Sequence, residues 1–149
     1  MIERETMQFY FAYGSNLWRE QMRARCPGHV EMGTGVLKGY RWIISARGYA
    51  NVVPSPPDVV YGKVYRLSAA DEESLDRYEG VAIGAYRKEM LTVETDGRDR
   101  SCLVYVDPVE EEGTPREEYV ERLNKGIADA RLPPAYVELY LREFVPSRL

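Results

Sequence analysis

The stretch Phe9–Trp18 reads FYFAYGSNLW. Its first half belongs to an apolar, aromatic run, Gln8 to Tyr13, with the composition of a buried strand. The run stops abruptly at Gly14-Ser15-Asn16. Three small residues behind a strand let successive backbone N–H groups turn outward together, and such a nest can hold an anion or a developing oxyanion. The same residues also suit an ordinary strand-to-helix turn in which Ser15 or Asn16 caps the next helix. Both readings stand at this point. Neither GxxxxGK nor GxGxxG is present, so the turn is not a phosphate loop.

Outward from this stretch, Leu17 to Arg25 reads as a short helix ended by Cys26-Pro27-Gly28. Val36 to Ala46 has the aromatic and β-branched content of a strand or strand pair, with Gly39 marking a bulge or kink. Pro54-Ser55-Pro56-Pro57 predicts a loop before a third strand, Val59 to Leu67. Ser68 and Asp71 form a capping pair that opens a helix to about Tyr78, with Leu67, Leu75 and Tyr78 facing the core and Glu79-Gly80 closing it. Arg87 to Thr95 and Arg100 to Asp107 flank Asp96-Gly97, the strongest hairpin signal of the chain. Thr114-Pro115-Arg116-Glu117 predicts a capped helix carrying Tyr119, Leu123 and Ile127, and Leu132-Pro133-Pro134 separates it from a last helix to about Phe144. This order predicts an α+β fold on a mostly antiparallel sheet, open or closed, rather than a regular βαβ layout.

Composition sets the outer limits. The 149 residues fit a single domain over 1–149, and 44% hydrophobic with 30% charged residues is a globular balance. No apolar run approaches the length of a membrane span. The start MIERETMQF lacks the basic and apolar regions of a secretory signal, so the expected location is cytoplasmic. A net charge of −4 offers no basic field for nucleic acid. Cys26 and Cys102 are the only cysteines, expected as reduced thiols in or near the core, and the single His29 is expected as a solvated loop residue. One histidine and two distant cysteines provide no metal site.

Two features carry chemistry beyond the opening loop. Glu79 sits at the end of a helix, facing the negative end of its dipole, where a carboxylate costs up to about 1 kcal/mol. With burial added, the protonated form is favoured further, which suits a group that must accept and return a proton; a solvated surface acid is the alternative. Twelve tyrosines against three phenylalanines supply hydroxyls that a core seldom needs so often. Tyr13, Tyr86, Tyr119 and Tyr136 stand beside these motifs, as pocket lining or as core.

Taken together the motifs resemble the γ-glutamylcyclotransferase (AIG2-like) family. The match comprises FAYGSNL at Phe11 to Leu17, Val60-Tyr61-Gly62 after the VPSP loop, Leu75-Asp76 with Glu79-Gly80-Val81, and Gly84-Ala85-Tyr86. It continues through Pro115 and Tyr119 to Gly126-Ile127-Ala128 and Leu132-Pro133-Pro134-Ala135-Tyr136. The resemblance implies a small mixed β-barrel with flanking helices and release of an amine or amino acid from a γ-glutamyl group that cyclises to 5-oxoproline. It implies no metal and no organic cofactor.

Carried over by position, Glu79 resembles the proton acceptor and donor. Tyr10, Phe11, Ala12, Tyr13, Gly14, Ser15, Asn16 and Leu17 resemble the substrate-binding loop. Tyr86 and Tyr119 resemble pocket tyrosines, with Tyr136 in support. Arg47 or Arg87 is available for the substrate α-carboxylate. The expected partner is a small γ-glutamyl molecule, with no nucleic acid and no membrane, and a homodimer is left open. Asn16 departs from the YGSL and YGTL loops of the glutathione and γ-glutamylamine groups, so the amine stays unassigned. A non-catalytic binding module on the same barrel is the alternative from another class; Glu79 speaks against it, since its loss is the simplest route to inactivity.

Overall fold

The computed structural model describes residues 7–148. Most of the N-terminal stretch behind the cytoplasmic expectation therefore lies outside the described residues. Five strands, β1 (Gln8–Ala12), β2 (Val30–Ile44), β3 (Ala50–Leu67), β4 (Arg87–Thr95) and β5 (Arg98–Val106), close into a barrel in the order β1-β3-β2-β4-β5. Every seam is antiparallel except the last, where β1 meets β5 in parallel at Tyr10↔Leu103. Closure satisfies the edge groups that an open sheet would expose. The mostly antiparallel sheet expected from the order of elements is observed, closed into the small mixed barrel that the resemblance implies.

What lets the barrel close is missing bulk opposite Phe11. Gly35 pairs with Gly62 across β2 and β3. A β-carbon on Gly62 would lie 2.2 Å from the Ala12 carbonyl oxygen and 2.9 Å from the Phe11 ring. One on Gly35 would lie 2.7 Å from Val64 and 2.8 Å from Val93. Phe11, fully buried, occupies the space that these two residues leave.

The predicted loop at Pro54–Pro57 is corrected by the register. Pairing holds at Tyr40↔Pro54 and resumes at Lys38↔Val59, so residues 55–58 bulge out of one continuous β3 opposite Gly39. Prolines fit a bulge because they have no ladder N–H to lose there. Gly39 has φ +85°, in keeping with the expected kink. Ser55 Oγ donates to Asp58 Oδ2 at 2.5 Å and the Tyr140 hydroxyl donates to Asp58 Oδ1 at 2.8 Å, fastening the bulge. The start of β2, Val30 to Gly35, escaped the sequence reading because its two glycines dilute the β propensity.

Helices α1 (Arg19–Arg25), α2 (Ala69–Tyr78), α3 (Glu117–Ala130) and α4 (Pro134–Tyr136), the last prolonged by a π-helical turn at Val137–Leu141, flank the barrel. Two 3₁₀ turns, Ser15–Leu17 and Val81–Ile83, come after β1 and α2. The capping pair at α2 is present: Ser68 Oγ accepts from the Asp71 N–H and Asp71 Oδ2 accepts from the Ser68 N–H. Asp96 and Gly97 turn the β4–β5 hairpin with φ +51° and +72°.

Several local expectations are corrected. Helix α3 starts two residues later than predicted, with Arg116 in the N-cap position and no side-chain cap from Thr114. Tyr78 is 60% exposed rather than in the core, whereas Leu67 and Leu75 are buried. His29 is not simply solvated: its ring meets Tyr65 edge-on at 5.3 Å, and Nδ1 lies 2.7 Å from the Cys26 carbonyl oxygen. Both cysteines are free and buried, and burial pushes the Cys26 thiol up to about 12.

Helix α3 positions the site. Gly126 presses on the turn after β1, where a β-carbon would lie 2.9 Å from Leu17 Cβ and 3.0 Å from the Trp18 nitrogen. Substituting either close-contact position forces backbones apart. A Gly62→Ala variant is expected to lose about 3 kcal/mol of unfolding free energy, measured by urea denaturation; an unchanged midpoint would show that β1 and β3 tolerate separation.

Candidate active site

The end of β1, the β2–β3 turn, the α2–β4 connection and α3 surround a cavity of about 420 Å³. It receives Tyr10, Tyr13, Gly14, Ser15, Asn16, Glu79, Tyr86 and Tyr119, so eight of the expected site residues converge from distant parts of the chain. Phe11, Ala12 and Leu17 do not line it. They are 0%, 1% and 2% exposed, because strand alternation turns Phe11 onto the glycine pair and α3 covers Leu17. The stretch therefore divides: Tyr10, Tyr13, Gly14, Ser15 and Asn16 line the cavity, and Phe11, Ala12 and Leu17 shape the loop from beneath.

Tyr136 lies elsewhere, with its ring 5.0 Å from that of Tyr61 and 5.4 Å from that of Tyr140. Arg87 is also outside, on exposed β4, paired with Glu89 at 2.9 Å. Arg47 reaches the cavity from the β2–β3 turn.

The loop is neither a bare turn nor a side-chain cap. Its own backbone hydrogen bonds are donated by Leu17 to the Gly14 carbonyl (3.1 Å) and by Trp18 to the Ser15 carbonyl (3.0 Å), leaving the N–H groups of Gly14, Ser15 and Asn16 outside that turn. The side chains serve as latches. Gln21 Nε2 donates to Ser15 Oγ at 2.8 Å and to Asn16 Oδ1 at 2.9 Å, while Asn16 Nδ2 donates to the Tyr10 hydroxyl at 3.0 Å. The Tyr65 hydroxyl holds the Asn16 carbonyl at 3.3 Å. Gly14 has no space for a side chain, since a β-carbon would lie 3.0 Å from Ala50 Cβ and 3.1 Å from the Tyr119 hydroxyl.

The excess of tyrosines over phenylalanines acquires a physical reason here. The Tyr13 hydroxyl donates to the Tyr105 carbonyl (2.6 Å) and Tyr86 to the Ala50 carbonyl (2.8 Å), and the Ala50 N–H donates to the Tyr119 hydroxyl (3.4 Å). The rings fill the core while their hydroxyls hold backbone at the cavity. Burial raises the pKa of Tyr10, Tyr13 and Tyr86 well above the ordinary phenol value, and pushes Tyr119 up to about 12. All four are neutral at pH 7.

Glu79 succeeds α2 as its C-cap, its N–H donating to the Leu75 carbonyl at 2.8 Å, and Gly80 turns the chain away with φ +64°. Its carboxyl makes no hydrogen bond among the described residues and faces the cavity. Burial pushes its pKa from 4.5 up to about 7, with Arg25 and then Arg47 holding it back. The neighbouring Asp76 is already engaged, accepting from the Tyr105 hydroxyl at 2.7 Å and from Lys88 at 3.0 Å. Glu79 is thus the carboxyl of this helix end that lines the cavity without a hydrogen-bond partner among the described residues.

Arg47 is held by a buried network. Its Nε donates to Asp107 Oδ2 at 2.9 Å, Ser45 Oγ donates to the same oxygen at 3.0 Å, and the Val109 N–H donates to Oδ1 at 2.8 Å. Asn51 ties β3 to the end of β5, accepting from the Asp107 N–H and donating to the Asp107 carbonyl. Sequence reasoning missed Arg25, Tyr49, Arg77, Tyr105 and Arg122 as lining residues. Only Tyr105 carried a signal, a tyrosine among the apolar residues of β5. Among the described residues no three His, Cys, Asp or Glu side chains are grouped to hold a metal ion, and no helix is long and apolar enough to cross a membrane.

A carboxyl whose folded pKa is about 7 and whose ordinary value is 4.5 binds more protons folded than unfolded between those pH values. Stability therefore falls as pH rises from 4.5 to 7 and is flat above. Relative to wild type, Glu79→Gln is expected to gain up to about 2 kcal/mol at pH 8 and nothing at pH 4.5, read from thermal melts; a gain independent of pH would contradict the burial of this carboxyl.

Comparison with known proteins accords with this geometry. The family profile described as "Gamma-glutamyl cyclotransferase, AIG2-like" matches residues 10–122, which include every cavity-lining residue. The chain is 33% identical over 147 residues to γ-glutamylcyclotransferase of Mus musculus, covering 91% of this chain and 78% of the relative. It is 29% identical over 140 residues to that of Homo sapiens, covering 87% and 74%. Among solved structures, a γ-glutamyl cyclotransferase superposes with a TM-score of 0.84 at 27% identity, over 97% of this chain and 91% of the other. YkqA from Bacillus subtilis superposes with a TM-score of 0.82 at 25% identity, over 94% of this chain and 55% of that longer one. On motif order, barrel topology and profile match alike, the chain belongs to the AIG2-like γ-glutamyl cyclotransferase family.

Proposed function

We propose that this protein converts a γ-glutamyl amino acid or amine into 5-oxoproline and the free amino acid or amine, with Glu79 as the proton-transfer group. The observation that carries the reading is a half-buried carboxyl without a hydrogen-bond partner among the described residues, poised near neutrality, in the same cavity as the Gly14–Asn16 loop. The reaction needs no enzyme nucleophile. The α-amine and the γ-carbonyl belong to one molecule, so attack is intramolecular and orientation supplies much of the rate.

Glu79 accepts a proton from the α-ammonium, and the freed amine attacks the γ-carbonyl carbon to close a five-membered ring. The oxyanion that forms is held by backbone N–H groups near Gly14 and Ser15, each good donor contributing about 3 kcal/mol. Collapse breaks the bond to the departing nitrogen, to which Glu79 returns its proton, and the ring nitrogen passes its surplus proton by way of the same carboxylate to the released amine. The protons balance: one ammonium proton remains on the lactam nitrogen and two finish on the released ammonium. The neutral hydroxyls of Tyr10 and Tyr119, which act as acceptors in the loop and barrel, can donate throughout, since neither ionises near pH 7.

Incubation with mixed γ-glutamyl amino acids, γ-glutamylamines and glutathione, with mass spectrometry for 5-oxoproline, tests the reading and names the amine. Glu79→Gln is expected to lower the rate by 10²- to 10⁴-fold with the fold intact; full activity in that variant would remove Glu79 from the mechanism. The base form of Glu79 is the active one, so kcat/KM is expected to rise with pH and level off above about 7. A flat profile from pH 5 to 8 would contradict this assignment.

A further inference from the structure

Arginines outnumber carboxylates around the cavity: Arg25, Arg47, Arg77 and Arg122 line it together with Glu79. Two of the four are already neutralised, Arg47 by Asp107 and Arg122 by Glu118. Arg25 and Arg77 form no ion pair among the described residues. The γ-glutamyl portion of a substrate carries one ammonium and one carboxylate, so it leaves this excess of positive charge uncompensated.

Arg25 is the better placed of the two. It ends α1, is half-buried, and lies with its guanidinium 4.4 Å from the centroid of the Tyr78 ring. Nη1 donates to Asn16 Oδ1 at 3.2 Å. Ring face and amide hold the group by one face and one edge, and its remaining N–H groups make no hydrogen bond among the described residues. This arrangement also explains why Tyr78, a large ring, stays 60% exposed on the cavity rim. A guanidinium fixed in this way, shielded from water on one side, receives a carboxylate through charge-assisted, often paired, hydrogen bonds.

We propose that Arg25, assisted by Arg77, is the specificity-determining group that selects γ-glutamyl conjugates whose amine-derived portion carries a carboxylate, against those neutral or cationic there. The inference rests on the γ-glutamyl reading above and adds the charge of the leaving group to it. It differs from a purely electrostatic role for Arg25 toward Glu79, which would not depend on the charge of the leaving amine.

The test compares γ-glutamyl-alanine with γ-glutamyl-alaninamide, which match in shape and differ by one charge. Calorimetry is done on Glu79→Gln, so that binding is read without turnover. The amide is expected to bind about 10- to 100-fold more weakly than the acid. Adding Arg25→Gln is expected to bring the ratio within about threefold, and Arg25→Lys to keep part of it. Taking a ratio within each variant cancels any shared effect on loop or fold. Equal affinities for the two compounds, or a ratio that survives Arg25→Gln, would overturn this proposal alone. Absence of binding by both compounds, with no 5-oxoproline from wild type, would overturn the γ-glutamyl reading and this proposal with it.

Discussion

The approach of β1 to bare backbone is the contact on which the remaining geometry depends. Phe11 lies against Gly62 and Gly35, and the Ala12 carbonyl sits so near Gly62 that no side chain fits between them. That closeness lets a short five-residue strand join β3 on one side and β5 on the other, closing the barrel. It also fixes where β1 ends, and hence where Gly14 to Asn16 emerge. Close packing makes such a placement precise, because a core at crystal-like density transmits small displacements.

The emerging loop is then held from three directions. Gly126 lets α3 lie on Leu17 and Trp18, Gln21 of α1 binds the Ser15 and Asn16 side chains, and Tyr65 of the barrel binds the Asn16 carbonyl. The side chains of Ser15 and Asn16 are therefore committed to structure, and their backbone N–H groups are what the loop has to offer a ligand. The tyrosines show the same division of labour. Their rings fill the core while their hydroxyls fix carbonyls at Ala50 and Tyr105, so the cavity wall is rigid as well as polar.

Glu79 stands apart because its neighbours have their partners already. Asp76 is bound to Lys88 and Tyr105, and Asp107 to Arg47 and Ser45. Glu79 alone of these carboxyls lines the cavity without a donor among the described residues, so burial rather than pairing governs its proton affinity. The arginines around it moderate that effect and at the same time make the cavity attractive to anions.

The sequence by itself determined the elements whose signals are local. Asp96-Gly97 turns a hairpin, Ser68 and Asp71 cap α2, and Gly39 kinks β2, because backbone conformation and short-range hydrogen bonds decide each. Motif order likewise made the family legible, and the motifs that carry it bring Glu79, Tyr86 and Tyr119 to one cavity. Tertiary structure alone decided what depends on neighbours distant in sequence. The prolines at 54–57 stay within one bulged strand because β2 continues to pair on both sides of them. Phe11, Ala12 and Leu17 fall beneath the loop rather than in the cavity because strand alternation and the docking of α3 settle which side chains face inward. Arg25 and Tyr105 enter the site through the crossing of elements far apart in the chain, a proximity that periodicity and spacing do not encode.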